Sequence, residues 1–188
     1  MRKPWILLVA AVVACSSPAP TDDAPRVVTQ GDGFFDRPWP SDTRLTSDGA
    51  PDLAAFPDPG VPILAGLKQA AMQRKGFPVV PVGYFRFTAP LAPRDPESVV
   101  ADGSMLLVDV DPASPERGKT FPVVAHTPNA DPYVPENLLA IAARPGIVLA
   151  PNRKHAFVVT THVGFADGRT AAAARDLPPE VADIPDVA

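Results

Sequence analysis

The apolar residues of this chain come in short runs broken by proline, glycine, aspartate and asparagine. GYFRFT (83–88), MLLVDVD (105–111), FPVVAH (121–126), LLAIAA (138–143) and HAFVVTTHV (155–163) are rich in β-branched or aromatic residues. Runs of this length bounded by turn formers predict β-strands. In the last run Phe157, Val159, Thr161 and Val163 share one face, Ala156, Val158, Thr160 and His162 share the other, and His155 sits at the solvent end. Both faces are fairly apolar, so this strand is expected to be central in its sheet. Antiparallel strands in this number fit a sandwich, with a core between two sheets about 10 Å apart.

One segment departs from the strand pattern. Ile63, Leu64, Leu67 and Ala71 recur at helical spacing after Asp58-Pro59, and Gly76 follows Arg74-Lys75. A capping residue, proline in the first turn and a terminal glycine predict a short helix there, its apolar stripe facing the core. Upstream, Phe34, Phe35, Trp39 and Leu45 offer area for burial, while Pro38, Pro40 and Ser41-Asp42 impose turns. The folded domain is expected over residues 31–170, opening at Gly31-Asp32-Gly33. The segment 171–188, which runs through alanines into LPPEVADIPDVA, has little to bury and is expected to be weakly structured.

The N-terminus has its own logic. Arg2 and Lys3 precede an apolar run, Trp5 to Ala14, that as a helix rises roughly 15 Å and covers about half of a hydrocarbon core. It is too short to span and has the layout of an export signal. Val12-Val13-Ala14-Cys15 resembles the lipobox of bacterial lipoproteins, in which a diacylglycerol is joined to the cysteine sulfur and cleavage makes that cysteine the new N-terminus. Cys15 is the only cysteine, so an intramolecular disulfide is impossible and acylation accounts for the thiol. The expectation is a signal peptide over 1–14, a lipidated Cys15, and a flexible tether over 15–30. The membrane is then held through acyl chains, since stable anchoring takes more than one chain. Ser16, in place of an aspartate retention signal, implies the outer membrane, at its periplasmic or cell-surface face.

Composition narrows the function. Proline makes up 26 of 188 residues, nearly three times the ~5% average, which nearly excludes an all-helical domain. Without the leader, fifteen basic residues face 21 acidic ones, about −6. That balance argues against nucleic acid and against an electrostatic grip on anionic lipid. His126, His155 and His162 are not placed by sequence to meet a serine, and no catalytic residue is expected. Asp109 and Asp111 share one strand face and are expected to be solvated strand-end residues, with weak calcium binding as the minor alternative. No zinc, calcium-loop or phosphate-binding spacing occurs, so no metal and no cofactor are expected. Arg117-Gly118-Lys119 and Arg153-Lys154 are expected to be ordinary solvated turns.

Two stretches resemble known domains. VLAPNRKHAFVVTTHVGFADGR (148–169) is similar to the final strand and turn of bacterial Ig-like domains. FFDRPWPSDTRLTSDG, GFPVVPVGYFRFTAPLAPRDPESV and LLVDVD together resemble the N-terminal domain of bacterial extracellular, virulence-factor lipases. The resemblance implies a mainly β fold: an Ig-like antiparallel β-sandwich with one short helix. In those lipases an α/β-hydrolase domain with a Gly-x-Ser-x-Gly elbow follows. None of Ser16, Ser17, Ser41, Ser47, Ser98, Ser104 or Ser114 lies in such an elbow. The expectation is therefore a noncatalytic binding or scaffold module with a protein or glycan partner. The alternative is the N-terminal fragment of a surface lipase or esterase, which the abrupt end in IPDVA suggests.

Overall fold

The computed structural model describes residues 23–173; the leader, Cys15 and the segment beyond Ala173 lie outside the described residues. The chain forms a helix, α1 (Pro62–Met72), and six strands: β1 (Val82–Arg86), β2 (Met105–Asp109), β3 (Thr120–Phe121), β4 (Val123–His126), β5 (Leu138–Ala143) and β6 (His155–Val159). Two short 3-10 turns, Phe34–Asp36 and Asp42–Arg44, precede α1. The strands make two small antiparallel sheets, ordered β1-β5-β4 and β3-β2-β6. The fold is thus mainly strands, with one short helix.

Alternation along the strands produces the core. Met105 and Leu107 of β2, Val123 and Ala125 of β4, and Leu139 and Ile141 of β5 belong to one buried cluster, which Phe87, Val163 and Phe165 extend. Side chains two apart on a strand share a face, so each sheet sends one face into this common core. The sheets meet closely where Phe157 lies over Gly83: a Cβ on that glycine would stand 2.7 Å from the Phe157 ring. Only a residue without a side chain admits the ring there.

β3 and β4 are one extended stretch that changes sheet at Pro122. A proline has no N–H to give to a ladder, and here it occupies the single residue between the two pairings. The predicted strand 121–126 is therefore divided. The predicted strand 155–163 is shortened: β6 stops at Val159, and the Val163 N–H closes a turn on the Thr160 carbonyl. β6 also lies at the edge of its sheet, paired with β2 alone, and is not central as its apolarity suggested. Its second apolar face has a local use, because Ala156 and Val158 pack on Val108 and Val110 across the outer side of the sheet.

The outer edge of β1 is covered by chain from upstream. Trp39 and Tyr84 exchange backbone hydrogen bonds, Val28 N–H donates to the Arg86 carbonyl, and Thr88 N–H donates to the Arg26 carbonyl. Pairing an exposed edge in this way removes a template for aggregation. The stretch expected to be free tether up to Gln30 thus joins the sheet from Pro25, which is fully buried. Above this edge Phe34, Phe35, Trp39, Phe56, Phe77 and Tyr84 pack ring to ring, with centroids 4.9–5.4 Å apart. Arg44 is buried among them, its guanidinium 4.1 Å from the Phe34 ring centroid and donating to the Phe34 carbonyl at 2.6 Å. Burial, then repulsion from Arg37, lowers its pKa against the opposing pull of Asp52.

α1 reaches this layer along one strip, Leu64, Lys68 and Ala71, all half-buried. Lys68 donates to the Phe56 carbonyl and pairs with Asp58. The expected core-facing stripe is not formed. Ile63 is 74% exposed and Leu67 62%, and no residue of the helix is buried. The helix begins at Val61 without a side-chain cap; Asp58 instead accepts from the Gly60 N–H two residues on.

Candidate functional site

The densest polar cluster forms at one end of the β3-β2-β6 sheet, where three motifs remote in sequence converge. Asp109 ends β2, the 110–119 loop carries Asp111, Ser114, Glu116 and Lys119, and Arg153-Lys154 lead into β6. Antiparallel register sets Asp109 opposite His155 and brings Arg153 alongside. Asp109 is only 1% exposed, which corrects the expectation of a solvated strand end. Its parity with Met105 and Leu107 puts it on the core side of β2, and burial of a carboxylate there requires partners.

Those partners are present. Asp109 Oδ1 accepts from the Asp111 N–H at 3.0 Å, Oδ2 accepts from Ser114 Oγ at 2.6 Å, and Arg153 Nη1 stands 3.6 Å from Oδ2. Arg153 also reaches Glu116 at 3.3 Å, and Glu116 accepts from Lys119 at 2.6 Å. The Lys119 hydrogen bond and charge, with Arg153, hold the Glu116 carboxyl below its ordinary range. N–H donation from Ala113 and then from Lys154 does the same for Asp111. The basic clusters expected to be plain solvated turns are the cationic half of this knot.

The knot closes the 110–119 loop rather than exposing a reactive atom. Ser114 Oγ donates to the Asp109 carboxylate and accepts from the Glu116 N–H at 3.1 Å, so the hydroxyl is held inside the knot. His155 packs edge-on against Phe121 and has its Nδ1 3.3 Å from the Arg153 carbonyl. His126 is exposed at the end of β4 in the other sheet, and His162 lies exposed in the turn after β6. The fold does not gather the three histidines. Among the described residues no group of His, Cys, Asp or Glu has the arrangement of a metal site.

Two open depressions lie elsewhere. One, of about 410 Å³, is bordered by Pro90, Thr127, Asn129 and Glu136. The other, about 390 Å³, lies where the described chain begins and ends: Arg169 donates to the Asp23 carbonyl at 2.8 Å, and the Ala172 N–H donates to the Pro25 carbonyl at 2.7 Å. Cys15, the residue singled out for lipidation, lies outside the described residues. The burial of Asp109 was hidden in the sequence because Asp109 and Asp111 share one parity with Met105 and Leu107; β2 ends at Asp109, so Asp109 lies within the sheet and Asp111 falls in the loop. No family model, no curated protein and no solved structure matches the chain.

Proposed function

We propose that this chain is a lipid-anchored cell-envelope protein of the outer membrane, held by acyl chains on Cys15, whose domain is an Ig-like β-sandwich that works as a noncatalytic binding or scaffold module. The observation that carries the reading is the sequence around Cys15: a charged pair, a short apolar run, and a small residue before the only cysteine. Two antiparallel sheets that share one core, with a chain crossing between them at Pro122, support the sandwich. Its partner is a protein or a glycan, met in addition to the membrane. The test is processing: Cys15→Ser, or globomycin, blocks maturation and shifts the protein from the membrane fraction. Mass spectrometry finds a diacylglycerol adduct on the wild-type N-terminal peptide. Unchanged processing and an unmodified sulfur would overturn the reading.

A second reading follows from the resemblance over residues 31–170 to the N-terminal domain of surface lipases. In it the domain is the leading module of a lipase or esterase. An in-frame Gly-x-Ser-x-Gly downstream of codon 188 decides for it, and a stop codon decides against it.

A further inference from the structure

The apolar and basic residues of this acidic protein are not spread evenly. Of the ten large apolar side chains exposed among the described residues, seven lie between Val61 and Val82. The same part of the chain is free of acid: from Pro59 to Arg94 there is no aspartate or glutamate, against five lysines and arginines. Three of those cations are paired with carboxylates from elsewhere, Lys68 with Asp58, Arg86 with Asp36 and Arg94 with Asp102. Arg74 and Lys75, both exposed, follow α1 directly, Lys75 within the influence of Asp48.

On the helix the two kinds of surface are side by side. The half-buried strip at 64, 68 and 71 attaches α1 to the aromatic layer, and Ile63 and Leu67 lie beside it, turned about 60–100° round the helix toward solvent. Exposed apolar side chains on a helix that does not bury them in its own protein, with two exposed cations just past its C-terminal end, fit a helix lying in a membrane interface. We propose that α1, through Ile63 and Leu67, rests on an anionic lipid surface, with Arg74 and Lys75 at headgroup level. A bilayer is preferred to a protein partner because of this charge complementarity and because of the proposed anchor, on which the choice in part rests. α1 then turns a loosely held domain into one with a fixed face toward the lipid.

The experiment uses the leaderless chain carrying Cys15→Ser, so that binding by α1 is read without acyl chains and independently of the anchor. Co-sedimentation is measured with vesicles of phosphatidylglycerol and phosphatidylethanolamine and with vesicles of phosphatidylcholine. The expected result is binding to the anionic vesicles that weakens several-fold in high salt and falls about tenfold or more in Ile63→Ser/Leu67→Ser. The circular dichroism spectrum and melting temperature of that variant should match the parent, since both side chains are exposed. Equal sedimentation of parent and variant, or no binding to either vesicle, overturns the proposal. So does a dimer in analytical ultracentrifugation that the double variant abolishes, which would assign the face to a second copy. Failure of the anchoring test with retained vesicle binding would remove the anchor and leave α1.

Discussion

β5 and α1 are both apolar segments without an acidic residue, and the fold treats them in opposite ways. β5 lies between β1 and β4, and Leu138, Leu139 and Ile141 are each within two per cent of complete burial. α1 has a neighbour on one side only and leaves Ile63 and Leu67 in solvent. The difference lies in connectivity: a strand with two hydrogen-bonded neighbours is covered by long-range pairing, whereas a helix must find a layer to lie against. Here the aromatic rings that form that layer already cover β1 and accept only a narrow strip of the helix. The ends differ too. β2 starts and finishes in Asp–Ser clasps, Asp102 with Ser104 and Asp109 with Ser114, whereas α1 starts with no cap.

The contrast is broken most directly by truncation. Ile141→Ala should cost about 2–5 kcal/mol in urea unfolding, because it opens a cavity in the shared core. Leu67→Ala should stay within about 0.5 kcal/mol of the parent. Similar losses for the two would mean that α1 is buried in solution. Next in size is the knot. Asp109→Ala leaves the Ser114 hydroxyl and the Asp111 N–H without their acceptor and Arg153 with Glu116 alone, at a cost of about 2–3 kcal/mol. Asp111→Ala, at a more exposed carboxylate, should lose much less in the same measurement. Equal losses would make the buried position of Asp109 irrelevant to its role.

The contact between the sheets gives a smaller effect. Gly83→Ala drives a methyl into the Phe157 ring and should destabilise by about 1–3 kcal/mol. Gly83→Ala/Phe157→Leu should lose less than the two single changes added together, since the smaller side chain vacates the overlap. Strict additivity would mean that the two sheets do not meet at this point.

The sequence shows where strands form better than it shows what lies beside them. β5 was legible to the residue, because LLAIAA is bounded by asparagine and proline-glycine turns. FPVVAH was read as a single strand because periodicity does not reveal that its proline marks a change of sheet. β6 looked central because both its faces are apolar, yet its outer face is matched to Val108 and Val110 of the adjoining strand. The helix was legible from spacing, but its stripe was assigned to a core on the assumption that apolar means buried. Of the candidate site, the charged clusters were legible singly. Their convergence depends on the β2–β6 register, which spacing alone does not set. Cys15 rests on sequence throughout.

The smallest effect concerns the clasp at the start of β2, and it has a sign that pH reveals. Burial pushes the Asp102 pKa up, but the Ser104 hydroxyl and N–H, with Arg94 at 3.7 Å, outweigh it, and the net direction is down. A carboxyl with a lowered pKa in the folded protein adds stability above its unfolded value of ~3.9, and that stability is lost as pH falls through the folded value. Ser104→Ala removes the hydroxyl donor and moves the Asp102 pKa back toward the ordinary range. The variant should therefore melt below the parent at neutral pH, and the gap should narrow as pH falls from about 4 toward 2. Asp95, whose pKa is lowered by the Ser98 hydroxyl and the Glu97 N–H, lies in a loop and serves as the control: Ser98→Ala should give the same trend with a smaller gap. A Ser104→Ala gap that is constant across the range would show that the hydroxyl acts through packing beneath β2, not through the carboxylate. The strand would then owe its fixed start to burial alone, as β5 does.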